Sequence, residues 1–197
     1  MYTSLRWTYT TDTAATALGI DSPPQGYVPY MDKDIPPDQQ IAATYKWIGA
    51  YFKHRDIQSL DLEYKTPDPA RKGTIASMSP EQFAACADFK PSLRSEIHLN
   101  NFRTNFLGFT KRAIFDESTR KTWGNMKVWV VYGDAAPWQA PHAAVALERM
   151  AKAMGKEDSI RTLVIPGANH FVSTISLDVE SEVAQRNLNT IFVGILG

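Results

Sequence analysis

Asp134 and His170 are the two residues of this chain whose type and setting could do chemistry together. Each follows an apolar, β-branched run that stops at glycine and a polar side chain. The runs are Lys127-Val-Trp-Val-Val-Tyr-Gly133-Asp134 and Arg161-Thr-Leu-Val-Ile-Pro-Gly-Ala-Asn-His170-Phe171. A buried parallel strand ends that way when it delivers a functional group to the C-terminal edge of a sheet. A carboxylate beside an imidazole fixes its tautomer, and an imidazole so held is a general base toward a nucleophile or water. A Gly-x-Ser-x-Gly elbow would complete the set. None is present: of the eleven glycines, at 19, 26, 49, 73, 108, 124, 133, 155, 167, 194 and 197, none has a serine two positions on.

Other nucleophiles fare no better. Cys86 follows Ser79-Pro80-Glu81-Gln82, a capping box with proline at the first helical position. It therefore belongs to a helix, where a lone cysteine is usually a small hydrophobe. Asp21, in Gly19-Ile-Asp-Ser-Pro-Pro, has no strand before it and prolines where a helix should begin. His54 and His98 have no Cys, Asp or Glu at ligand spacing, so no metal site is expected, and no cofactor motif is present. His142 falls near the start of a helix, on its exposed side.

The elements that must position Asp134 and His170 lie in the last third. Met126 to Tyr132 and Ser159 to Ile165 read as strands. Pro141 to Met154 reads as an alanine-rich helix stopped by Gly155. Asp178 caps a final helix with Val179, Val183, Leu188, Ile191, Phe192 and Ile195 on one stripe. A β-α-β-α run with a right-handed crossover makes the strands parallel neighbours and brings Asp134 and His170 to one edge. Residues 1 to about 125 are unlike this: helical pieces separated by proline-rich connections, with no convincing buried strand. After Pro37, Ile41, Tyr45, Ile48 and Phe52 form an amphipathic stripe that Trp47 and Tyr51 widen. A second helix runs from the Ser79 cap to about Phe89. A less regular one covers Ser92 to about Ala113 with Leu93, Ile97, Phe102, Phe106 and Phe109, and Pro67 to Gly73 reads as loop.

Composition narrows the class. The chain has 197 residues, 44% of them hydrophobic, which is enough for one core. Twenty-one basic and twenty-one acidic residues cancel, which argues against a nucleic-acid or anionic-membrane partner. One cysteine excludes an intramolecular disulfide framework and fits a reducing, cytoplasmic setting. No apolar run approaches the length of a membrane span, and the amino terminus has no apolar signal core.

Residues 126–197 resemble the C-terminal end of an α/β-hydrolase, and the helical part before them, 1–125, resembles that family's cap or lid inserted before the last two strands. The motifs that carry the resemblance are Val-Val-Tyr-Gly-Asp-Ala-Ala-Pro-Trp (130–138) and Ile-Pro-Gly-Ala-Asn-His-Phe (165–171). The resemblance implies a partial α/β-hydrolase fold, a helical cap followed by two parallel strands with packing helices. It makes His170 the general base, with Asp134 as acid. It also implies a small-molecule ester or similar substrate in the complete enzyme, of esterase, lipase or epoxide-hydrolase character. The family's acid commonly stands three residues after the glycine, which here is Ala136, whereas Asp134 stands one after it. Either Asp134 substitutes from a shifted loop, or the acid came from an earlier strand, or there is none.

Each residue also has a plainer reading. Aspartate commonly caps a turn after a strand, and a histidine at a strand exit can be a surface turn residue. Trp138 and Phe171 are the candidates for contact with substrate, and Trp138 equally packs its own loop. The helix from Ile41 to Phe52 reads as cap core before it reads as an acyl-binding wall. With two strands and no elbow, the expectation is a truncated hydrolase, inactive alone, that self-associates or pairs with its missing half. The alternative is a non-catalytic helical binding module, or partner subunit, that keeps the end of the fold.

Overall fold

The computed structural model describes residues 7–11, 13–86, 103–123 and 127–171. The expected final helix from Asp178 and residues 92–102 lie outside the described residues. The chain is a mixed helix-and-strand structure built on a parallel sheet. Its elements are β1 (Trp7–Thr11), α1 (Pro37–Ile48), the short α2 (Thr74–Ser77), α3 (Pro80–Cys86), α4 (Arg103–Phe115), α5 (Glu117–Thr122), β2 (Lys127–Gly133), α6 (Gln139–Ala153) and β3 (Ile160–Ile165). Turns of 3-10 helix cover Ala15–Leu18, Pro29–Met31 and Glu157–Ser159.

The two expected strands are present and pair in parallel, from Val128 opposite Ile160 to Gly133 opposite Ile165. Both therefore end at the same level, and Asp134 and Pro166 leave the same edge. The expectation that residues 1–125 hold no strand is corrected. β1 pairs in parallel with β2, Trp7 opposite Lys127 and Thr11 opposite Val131, giving the order β1-β2-β3. Its sequence, Trp-Thr-Tyr-Thr-Thr, is all aromatic and β-branched residues that suit a pleated strand.

One sheet face forms the main core. Val128, Val130 and Tyr132 are buried against Ala140, Ala143, Ala144 and Leu147 of α6 and against Ile114 and Phe115 of α4. Spacings of three and four bring the alanines onto one stripe, and their small size lets α6 lie close to the strands. Burial stabilises each large side chain by about 1.5–3 kcal/mol. On the opposite face Trp129, Val131 and Leu163 are half-buried. α6 ends as its glycine predicts. Gly155 sits at φ +62°, its N–H reaches Lys152 O at 3.1 Å, and Lys156 N–H reaches Ala151 O at 2.8 Å, the paired bonds of a Schellman close.

α1 is shorter than its apolar spacing suggests. It stops at Ile48 with Gly49 as cap, so Tyr51 and Phe52 belong to the extended segment that follows. The buried face centres on Trp47, 6% exposed, whereas Ile41, the first residue of the expected stripe, is 45% exposed. Trp47, Ala50, Phe52, Leu62 and Trp138 form a second core, to which Tyr27, Val28 and Tyr64 add. Ile57 packs against both cores and joins them. The Ser79 capping box is present: Gln82 N–H donates to Ser79 Oγ at 3.2 Å and Gln82 Oε1 accepts from Ser79 N–H at 2.8 Å.

Candidate active site

The C-terminal edge of β2 and β3 is a dense set of backbone and side-chain contacts. Ala135 N–H donates to Ala168 O at 2.9 Å, which ties the β2 turn to the β3 turn. The segment after α1 closes over both, because Phe52 N–H donates to Ala135 O at 2.9 Å. His54 lies beside Ala136 O, with Nε2 2.8 Å away. A carbonyl can only accept, so Nε2 carries the proton, while Nδ1 accepts from Glu63 N–H at 3.0 Å. His54 is thereby held in one neutral tautomer. Ala136, where the resemblance would place an acid, is fully buried.

Asp134 lies at this edge. Its Oδ1 accepts from Gly167 N–H at 2.6 Å, so the carboxylate reaches the loop three residues before His170. His170 is half-buried, and burial lowers its pKa below the ordinary histidine value. An imidazole so placed is neutral at pH 7 and can accept a proton. Its ring meets that of Phe171 edge to face, with centroids 5.4 Å apart. Phe171 N–H donates to Asn169 Oδ1 at 3.0 Å, and the Phe171 ring lies against Gly49. Trp138 is 1% exposed. Its indole N–H donates to Tyr27 O at 2.8 Å, and its ring lies 5.9 Å from that of Tyr64. It packs the loop into the second core.

Three residues of this edge carry no signal in the sequence. His54 reads as an isolated histidine, Arg71 as part of a loop, and Asn169 as one letter of the motif before His170. Asn169 is fully buried, and its Nδ2 donates to Gly49 O at 2.9 Å and to Thr74 Oγ1 at 2.7 Å. Among the described residues no three His, Cys, Asp or Glu side chains are grouped to hold a metal ion. No described helix is long and apolar enough to cross a membrane. A separate cleft of about 310 Å³ opens between α1, α2 and α3, with Ile41, Tyr45, Ile75 and Phe83 as apolar walls and Asp38 and Lys46 beside them.

His54, His142 and His170 all have pKa values lowered by burial. For such a group the unfolded chain binds the proton first, so stability falls as pH drops through about 6.5 and on toward the folded values. The melting temperature should therefore decline from pH 7.5 to pH 5.5, before the carboxylates respond. Several of those are held low by hydrogen bonds, among them Asp56, Glu63 and Glu81; Asp116, the cap of α5, is pushed down to about 2 mainly by the Ser118 hydroxyl. Thermal melts at half-unit pH steps test this. A flat profile across that window would show that the imidazoles titrate as they do in the unfolded chain.

No protein-family model, no curated protein and no solved structure matches this chain.

Proposed function

We propose that this chain carries the base-bearing end of an α/β-hydrolase-type ester hydrolase, with a helical region that covers the strand ends. The observation that supports it is the in-register end of β2 and β3, Gly133 opposite Ile165, with Asp134 and the His170 loop leaving one edge. His170 is the general base, first toward a nucleophile and then toward water. Asp134 supplies the carboxylate of this edge, Phe171 lies beside the imidazole as a substrate contact, and Trp138 shapes the loop from beneath. The nucleophile elbow and oxyanion donors come from a segment outside these 197 residues, either on a longer chain or on a partner. The substrate is a small ester or a related electrophile.

The test is an ester assay on the purified 197-residue chain with short and medium p-nitrophenyl esters, alongside His170→Ala. Removing one member of a catalytic triad removes most of the rate, so the expected result is turnover at background. His170-dependent turnover that survives repurification would place a nucleophile within the chain and overturn the proposal as stated. A second reading is a non-catalytic binding module that uses the half-open cleft between α1, α2 and α3.

A further inference from the structure

We infer that Arg71 is a positioning residue for His170, acting with Asp134 as a clamp on Gly167; this rests on the reading of His170 as the general base. Gly167 is the turn on which the His170 loop hangs. It sits at φ +70°, a state that L side chains rarely adopt, and a Cβ there would meet nothing within 4 Å. Glycine is therefore required by the backbone turn and not by packing.

Both polar groups of Gly167 are held by charged side chains. Asp134 Oδ1 accepts its N–H at 2.6 Å, and Arg71 Nη2 donates to its carbonyl at 2.7 Å. Hydrogen bonds with one charged partner are roughly twice as strong as neutral ones. Two of them at opposite ends of one residue fix both its rotation and its position along the strand axis.

The arginine is anchored in its turn. Its guanidinium carbon lies 3.6 Å from the centre of the Tyr51 ring. The Tyr51 carbonyl accepts Asp68 N–H at 2.7 Å, which ties the Arg71 loop to the segment after α1. Arg71 and Gly167 stand 96 residues apart in sequence. The clamp therefore makes the placement of His170 depend on the helical region. In this arrangement Asp134 supports the imidazole through the loop that bears it.

The experiment is NMR on the full chain with Arg71→Met, Arg71→Lys, Asp134→Ala and Asp134→Asn. Arg71→Met keeps the apolar stem over Tyr51 and removes every donor, at an exposed position. The expected result is about tenfold faster exchange of the Gly167 amide. The His170 ring resonance should move as well, in a chain that still melts cooperatively. Arg71→Lys restores a donor and should recover part of the shift. Asp134→Asn keeps an acceptor oxygen but loses the charge and should fall between wild type and Asp134→Ala, which should behave like Arg71→Met.

Wild-type exchange and ring shift in a folded Arg71→Met chain would overturn the clamp. So would an Asp134→Asn chain with an intact loop but a His170 pKa lowered by about one unit, because that is the signature of a carboxylate acting on the imidazole directly. Either result leaves the hydrolase reading standing, since that reading falls only by the ester assay.

Discussion

Asn169→Ala is expected to lower stability by about 3 kcal/mol, because each buried polar group left without its partner costs about 1–3 kcal/mol. Asn169 is fully buried. It donates to Gly49 O and Thr74 Oγ1 and accepts Phe171 N–H. Removing it takes one hydrogen bond each from the half-buried Phe171 amide and Thr74 hydroxyl and unties the His170 loop from the end of α1. Gly49 O loses less, since it also accepts Thr74 N–H at 2.8 Å. At this chain length, 1 kcal/mol corresponds to about 2–4 °C in melting temperature. Asn169→Asp is the sharper variant. It has nearly the same shape, but an ionised carboxylate cannot donate to Gly49 O. It should therefore be worse than alanine at pH 7 and should recover in part once protonated. An Asn169→Ala chain that melts within about 2 °C of wild type would show that the amide is not the tie described.

Gly133→Ala should be more damaging still. A Cβ at Gly133 would lie 2.1 Å from Ala168 O and 2.5 Å from Ala168 C. Those are backbone atoms that cannot rotate aside. The ends of β2 and β3 must then part, and the bonds from Ala135 N–H to Ala168 O and from Asp134 N–H to Ile165 O are lost with them. The expected loss exceeds about 3 kcal/mol, in the range reserved for broken networks and forced packing. Gly155→Ala is the comparison. It has nothing within 4 Å but φ +62°, so it should cost only about 1–2 kcal/mol of backbone strain. Urea midpoints of the two variants decide the matter. Equal midpoints would mean that the strand ends absorb the methyl group.

What could be read in the sequence was whatever depends on neighbours along the chain. The apolar runs before Gly133 and Pro166 marked β2 and β3 to within a residue or two. Gly155 marked the end of α6, and Ser79 with Gln82 marked the start of α3. Periodicity misled at α1, where Tyr51 and Phe52 continue the spacing although Gly49 has already ended the helix. Their burial comes from a core assembled by Trp138, far along the chain. β1 was missed because five residues make a short pattern, and its partner strand is remote. That Asp134 and the loop leading to His170 leave one edge was legible from the two strands. His54 and Asn169 were not, since their bonds span 82 and 120 residues. No local spacing encodes such a contact.

The register of β1 on β2 bears on the order in which the chain assembles. β2, α6 and β3 are consecutive, so their pairing closes only short loops. Trp7 meets Lys127 only after nearly the whole helical region has been looped out. The entropy of closing a loop grows slowly with its length, by about 0.6 kcal/mol per doubling, but distant pairings form late because that cost comes before any contact rewards it. The β2-α6-β3 crossover unit is thus expected to pair before β1 joins it. β1 thus covers an edge of β2 that would otherwise offer its unpaired backbone groups to any extended chain nearby.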